Sequence, residues 1–178
     1  MIGIRLEKEL QIYYSMHKVF LGIGGNIGNK RLNFENVLNL IEKELGKINQ
    51  SSSIYETPPW GFHSENTFWN QVLIIETKLE ALELLWRIHK IEEEFERKRG
   101  KERYSSRQMD IDILYFNDDY FETKTLIIPH PKIHERKFVL VPLCEIAPDL
   151  KHPLLRLTSI EMLEACRDDS IIKKVKFD

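Results

Sequence analysis

Cysteine is almost missing from this 178-residue chain: only Cys144 and Cys166 occur, with neither a Cys-x-x-Cys pair nor a zinc-ligand spacing. A disulfide framework or a cysteine-built zinc site therefore has no basis, and a reducing compartment, the cytoplasm, is expected. No secretory apolar segment and no transmembrane-length run appears, so no membrane association is expected. Pro-, Gly- or Ser-rich linkers, low-complexity tracts and internal repeats are lacking too. What remains is one domain, long enough to bury a core without staples. Strong net charge is also absent, since 26 Lys and Arg against 28 Asp and Glu give a formal charge of -2. That balance argues against general nucleic-acid affinity. Glycine is sparse, and its one cluster, Gly22-Ile23-Gly24-Gly25-Asn26-Ile27-Gly28, matches neither a dinucleotide fingerprint nor a P-loop. It reads instead as a tight strand-to-helix turn in which Gly supplies unusual backbone angles and Asn26 bonds the loop backbone.

What is present is concentrated around Arg103-Tyr104-Ser105-Ser106-Arg107-Gln108-Met109-Asp110-Ile111-Asp112-Ile113-Leu114. The apolar and aromatic run after Asp110 is strand-like, and strand side chains alternate faces, so Asp110 and Asp112 point the same way. Their Cβ atoms are then about 6.5 to 7 Å apart at the usual rise, a spacing that suits one Mg²⁺ held jointly or two bridged. Cations at Arg97, Lys98, Arg99, Lys101, Arg103 and Arg107 precede them and suit a polyphosphate on the metal. A solvated sheet face or an exposed basic loop would account for either feature alone; their adjacency points to metal and phosphate chemistry. Acids such as Glu92, Glu93, Glu94 and Glu96 offset the run, so a compact anionic ligand fits better than a nucleic acid.

The apolar pattern predicts strand, helix, two strands, helix and strand. Lys18 to Ile23 reads as a strand, and Arg31 to Leu45 as a helix with Phe34, Val37, Leu38, Ile41 and Leu45 inward and Gly46 ending it. Ile48 to Thr57 and Phe68 to Thr77 read as strands, and Leu79 to about Lys98 as a helix with Leu82, Leu85, Trp86, Ile88, Ile91 and Phe95 inward. That order describes an α+β, ferredoxin-like βαββαβ core, an antiparallel sheet with two helices on one face. The stretch from Tyr120 reads as a Pro- and turn-rich extension of this domain with a short helix from Ser159 to Cys166, capped by Thr158 or Ser159. Residues 1–17 are expected to be an N-terminal extension, or a stretch ahead of a start at Met16, and 18–178 the single domain.

A second constellation lies upstream of the aspartates, in Tyr55-Glu56-Thr57-Pro58-Pro59-Trp60-Gly61-Phe62 and Phe68-Trp69-Asn70. Tandem prolines stiffen the loop, the aromatics offer flat faces, and Asn70 both donates and accepts, a set that suits a planar heterocycle. Core packing for the aromatics and a turn for Asn70 would explain the same residues, and Phe138 carries the same ambiguity.

Together with Leu21-Gly22-Ile23-Gly24-Gly25-Asn26 and Ile128-Pro129-His130-Pro131, these motifs resemble the 6-hydroxymethyl-7,8-dihydropterin pyrophosphokinase family of folate biosynthesis, from about Val19 to Asp149. The resemblance implies the same ferredoxin-like fold and transfer of the β,γ-diphosphate of ATP to the pterin hydroxymethyl group, with release of AMP. It implies two Mg²⁺ ions on Asp110 and Asp112, and charge stabilisation on the transferring group by Arg97 and Arg107. Nucleotide contacts fall at Glu92, Arg99, Arg103, His130 and Arg136. The pterin pocket falls at Thr57, Pro58, Trp60, Phe68, Asn70 and Phe138, with Phe68 and Phe138 stacking on the ring and Asn70 reading its edge. The implied partners are the two small substrates, with no nucleic acid and no membrane, and a monomer is implied.

The chain departs from the family where Gly24-Gly25-Asn26 replaces Gly-Ser-Asn and where Tyr104-Ser105-Ser106 replaces Trp-Gly-Pro. Trp60 stands where a smaller apolar residue is common, and Pro131 and Thr125 stand where Tyr and Arg can meet nucleotide. Two other classes share parts of this pattern. An RNA-binding ferredoxin-like module needs stacking aromatics on its central strands, where Asp110 and Asp112 would repel phosphate. A nucleotidyltransferase would use the paired aspartates but release pyrophosphate.

Overall fold

The computed structural model describes residues 16–61, 65–96 and 108–177. Of the expected N-terminal extension only Met16 and His17 are among them, and His17 opens the first strand. The order is β1 (His17–Gly25), α1 (Lys30–Glu44), β2 (Lys47–Ser51), β3 (Tyr55–Thr57), β4 (Phe68–Thr77), α2 (Ala81–Glu96) and β5 (Asp110–Phe116). A small hairpin follows, β6 (Phe121–Glu122) with β7 (Ile127–Ile128), then α3 (Lys137–Ile146), α4 (Ser159–Ala165) and β8 (Lys173–Lys174). The main sheet runs β5-β1-β4-β3-β8, with β2 also on β4, and every pairing is antiparallel. With β2 and β3 taken as one interrupted strand, this is the ferredoxin-like order expected from the sequence.

Strand alternation divides the sheet into two unlike faces. Val19, Leu21 and Ile23 of β1, Leu73 and Ile75 of β4, and Ile111 and Ile113 of β5 meet Phe34, Val37 and Ile41 of α1 and Leu84, Ile88 and Ile91 of α2. On the other face Phe20, Val72, Ile74 and Leu114 meet Val139, Leu140 and Leu143 of α3 and Met162 of α4. The second face is therefore covered as well, by helices of the downstream extension. Beyond Phe20 that face carries Gly22 and Gly24 in place of apolar side chains, and the cover stops there.

Helix boundaries follow local chemistry. Asn29 caps α1 by accepting the Leu32 N–H at 3.1 Å, and Thr158 with Glu161 forms a capping box on α4. Gly46 ends the first helix as the pattern predicts. Its φ of 153° and a virtual Cβ only 2.2 Å from the Glu76 carbonyl show why no side chain fits.

Four expectations need correction. The glycine cluster is mostly strand: Gly22, Gly24 and Gly25 belong to β1, and only Gly28, at φ 75°, has the turn angles expected of the whole run. Ile48 to Thr57 is not one strand, because the ladder is interrupted at Ser52: its N–H still reaches the Val72 carbonyl at 2.9 Å, but its hydroxyl and not its carbonyl takes the Val72 N–H, at 3.0 Å. On α2, Leu82 and Trp86 are exposed at 55% and 59%, since the buried stripe runs through Ala81, Leu84, Ile88 and Ile91. Lys137–Ile146 is a helix where a Pro- and turn-rich extension was expected; Pro142 lies inside it, and apolar contacts of Val139, Leu140 and Leu143 hold the segment helical.

Replacing Gly46 with Ala forces both an unfavourable φ and a backbone collision, so Gly46→Ala is expected to destabilise the fold by about 2 to 4 kcal/mol. The thermal midpoint would fall by on the order of 10 °C for a chain of this size. An unchanged melting curve would show that the junction of α1 and β2 relaxes freely.

Candidate active site

The two aspartates enter the site through backbone register. Asp110 lies opposite Gly24 and Asp112 opposite Gly22 on one side of β1; on its other side Gly24 lies opposite Asn70. Asn70 in turn lies opposite Tyr55. Directly paired residues share a face, so Asp110, Gly24, Asn70 and Tyr55 form one row across four strands, with a gap where Gly24 has no side chain. The gap is required: a Cβ on Gly24 would come within 2.7 Å of the Asn70 Oδ1.

Over this bare floor lies a cavity of about 610 Å³. Asp110, Asp112, His130 and Arg136 line its polar end, while Thr57, Pro58, Trp60, Phe68, Asn70 and Phe138 line the other. Of the residues singled out from the sequence, these ten converge on one space. Arg97, Arg99, Arg103 and Arg107 lie outside the described residues. Glu92 does not line the cavity but faces Asp110 from α2, and His89, one turn earlier on the same helix, does line it although the sequence reading passed over it. Its signal was the helical spacing of three from Glu92.

Charges at the polar end are closely coupled. Asp112 Oδ2 accepts from Arg136 Nη1 at 3.3 Å, and the same guanidinium lies 5.2 Å from the Trp60 ring centre and 5.6 Å from that of Phe138. Arg136 thus bridges the two ends, and its Nε is buried without a hydrogen-bond partner among the described residues. Ile111 sits on the outer edge strand, where its N–H would otherwise be open, and donates to Glu92 Oε1 at 2.8 Å. Burial first, and then the facing carboxylate of Asp110, hold the Glu92 carboxyl far above the usual range, against that N–H and with Asp112 adding to the rise. Among the described residues no three His, Cys, Asp or Glu side chains form a ready metal cage. Paired carboxylates without a cage suit Mg²⁺, which is commonly completed by water and substrate phosphates.

At the other end Asn70 donates its Nδ2 to Thr57 Oγ1 at 2.8 Å within the buried interior. It sits inside β4, so the turn-satisfying alternative for this side chain is set aside. Trp60 meets Phe138 edge to face at 6.3 Å, whereas Trp69 points to the opposite face and packs on Phe34 and Phe177.

His130 joins the two chemistries. Its Nδ1 accepts the Lys132 N–H at 3.2 Å, so the neutral ring carries its proton on Nε2. Burial, then the charge of Arg136, lower its pKa to about 4 despite the attraction of Asp110. With a folded pKa below the unfolded one, His130 leaves the folded state holding fewer protons between the two values. Its share of stability is complete above about pH 6.5 and is lost as pH falls towards 4. Nitrogen-detected NMR of the free protein is expected to find the Nε2–H tautomer at pH 6, with protonation only well below the ordinary histidine range. A midpoint near 6.5 would contradict this burial and charge balance.

The family model described as 7,8-dihydro-6-hydroxymethylpterin-pyrophosphokinase matches residues 20–148 of this chain. A 2-amino-4-hydroxy-6-hydroxymethyldihydropteridine pyrophosphokinase of Aquifex aeolicus is 41% identical over 143 residues, covering 79% of this chain and 87% of the relative. A relative of the same name in Bacillus subtilis is 38% identical over 133 residues, covering 74% and 79%. In fold, the chain is similar to the wild-type Plasmodium falciparum HPPK-DHPS solved with pteroate, at a TM-score of 0.71 and 19% identity, over 85% of this chain and 44% of that one. An HPPK-DHPS in complex with substrates gives a TM-score of 0.67 at 18% identity, over 84% and 43%. This chain thus spans under half the length of those solved proteins. The sequence matches reach across the strands that build the cavity, and the chain belongs to the 7,8-dihydro-6-hydroxymethylpterin-pyrophosphokinase family.

Proposed function

We propose that this chain transfers the β,γ-diphosphate of ATP to 6-hydroxymethyl-7,8-dihydropterin, releasing AMP, and that it works as a cytoplasmic monomer. The observation that carries the reading is the row from Asp110 through Gly24 to Asn70 on the floor of one cavity. Two strand spacings, roughly 10 Å, separate a carboxylate end suited to metal-bound phosphates from an amide and aromatic end suited to a flat heterocycle. That separation lets a hydroxymethyl substituent of the heterocycle reach the phosphate chain.

In this reading Asp110 and Asp112 would hold two Mg²⁺ ions, which would supply charge neutralisation and polarisation at the phosphates. Phe68 and Phe138 take the faces of the pterin, with Thr57, Pro58 and Trp60 closing the pocket around it. Asn70, its Nδ2 aligned by Thr57, addresses the ring edge. The pterin hydroxyl oxygen bonds to the β-phosphorus and gives up its proton to solvent as the bond from that phosphorus to the α-phosphate oxygen breaks, and AMP leaves with the electron pair. His130 keeps an Nε2–H for a phosphate oxygen, and the buried Nε of Arg136 is a further donor. Glu92, Arg99 and Arg103 are assigned to the nucleotide, and Arg97 and Arg107 to charge on the transferring group, on the family resemblance. Positioning and charge compensation carry such transfers.

Incubation with Mg²⁺-ATP and the pterin is expected to give AMP and the pterin diphosphate, with activity lost on chelation. Asp112→Ala is expected to lower kcat by about 10³-fold or more with the fold retained. ADP as the nucleotide product would mean a simple kinase, and pyrophosphate a nucleotidyltransferase.

Asn70→Ala tests the other end. Removing a buried polar partner of the ring edge is expected to weaken pterin binding about 10- to 100-fold while ATP binding stays within about twofold. Equal losses for both ligands in calorimetry would assign Asn70 a purely structural role.

A further inference from the structure

The walls of the heterocycle end come from different layers. Thr57 and Pro58 extend from β3, whereas Phe138 rides on α3, which packs across the opposite face of the sheet from α1 and α2. We propose that Glu145, near the far end of α3, is a positioning residue for pterin binding that fixes the Phe138 wall against the Thr57 wall. The inference rests on the pterin reading of this cavity and assigns a role to a side chain outside it.

One carboxylate gathers four donors. Glu145 Oε2 accepts the Ser53 N–H at 2.7 Å and the Tyr55 hydroxyl at 3.1 Å, and Oε1 accepts the Ser53 hydroxyl at 2.7 Å and Lys174 Nζ at 3.1 Å. These donors belong to the connection from β2 to β3, to β3 itself and to β8. Burial alone would raise the Glu145 carboxyl, yet the bonds from Ser53, Lys174 and Tyr55 hold it below the usual range, so it is ionised at neutral pH.

Register carries this tie to the cavity. Lys174 lies opposite Tyr55, and Tyr55 opposite Asn70, so Glu145 grips the outer continuation of the row that holds Asn70 and Asp110. Thr57 is two residues beyond Tyr55 and shares its face. On the helix, Phe138 and Glu145 are separated by two turns and share a face. Between them Pro142 has no N–H to offer the Phe138 carbonyl, so the helix's own ladder is open at the turn that bears the stacking ring. At that end, the Lys137 N–H bonds Asp168 at 3.1 Å, which ties the helix to the downstream segment and not to β3. Glu145 supplies the polar link from α3 to the β3 wall.

A positioning role predicts a loss confined to one substrate. In Glu145→Ala the KM and Kd for the pterin are expected to rise about tenfold, in line with losing hydrogen bonds to a charged group. The kcat at saturation and the KM for ATP are expected to stay within about twofold. Glu145→Gln, which keeps an acceptor for Ser53, is expected to fall between Glu145→Ala and the parent chain. Tyr55→Phe, which removes one hydroxyl and keeps the ring, is expected to raise the pterin KM about two- to threefold. A folded Glu145→Ala with an unchanged pterin KM would overturn the proposal, as would a fall in kcat with both KM values unchanged, the mark of a smaller active fraction. Should Glu145→Ala fail to fold, Tyr55→Phe and Lys174→Met decide it, and unchanged pterin KM values in both would also overturn it. A parent chain that turns over no pterin would overturn the proposed function and this inference together, whereas an active parent with silent variants overturns this inference alone.

Discussion

Everything at the site depends on β1 being paired on both sides. A strand with neighbours at each edge has no freedom to slide, and its register determines which residues of β4 and β5 stand beside Gly22 and Gly24. Because those two positions carry no side chain on the site face, the sheet surface dips where its neighbours raise carboxylates on one flank and an amide on the other. The same strand, two residues earlier, presents Phe20 to the core beneath α3. One strand therefore supplies both the packing that stabilises the second face and the bare ground where packing ends.

Electrostatics completes what register begins. Two carboxylates on neighbouring same-face positions repel, and the structure answers with Arg136 on Asp112 and with a carboxyl on Glu92 that favours its protonated form beside Asp110. The aromatic pair at the other end is part of the same arrangement, since Trp60 and Phe138 both face the Arg136 guanidinium. Arg136 thus offsets the charge of Asp112, and Glu92 adds little negative charge beside Asp110.

Much of this was legible in the sequence because the relevant signals are local and periodic. Period two placed Asp110 and Asp112 together, and the β4 bounds were read as they stand, since Val72, Leu73, Ile74 and Ile75 leave little ambiguity. Where tertiary contacts decide, the reading slipped. Leu82 and Trp86 satisfy a helical stripe as well as Leu84 does, and only the sheet beneath α2 selects between those faces. The α3 helix was hidden by Pro142 and by valines that favour strands. Without that helix the second face looked uncovered, and Glu145 had no visible relation to Ser53 or Tyr55, which lie more than ninety residues away for Ser53 and ninety for Tyr55. Convergence at the cavity was anticipated through the resemblance of ordered motifs; the gap at Gly24 was not, because a glycine run looks like a turn until its strand partners are known.

The register of β1 also limits how this architecture can diverge. A substitution at Trp60 or in the 52–54 connection changes contacts among the walls and leaves the strand rows beneath them in register. Inserting or deleting one residue between Phe20 and Gly24 would do something different in kind: every side chain beyond that point would change faces, sending Ile23 into the cavity and the bare position into the core. Length in this strand is thus a harder constraint than identity, and variation in what the pocket accepts has room to accumulate only at the loops and helix ends that surround it.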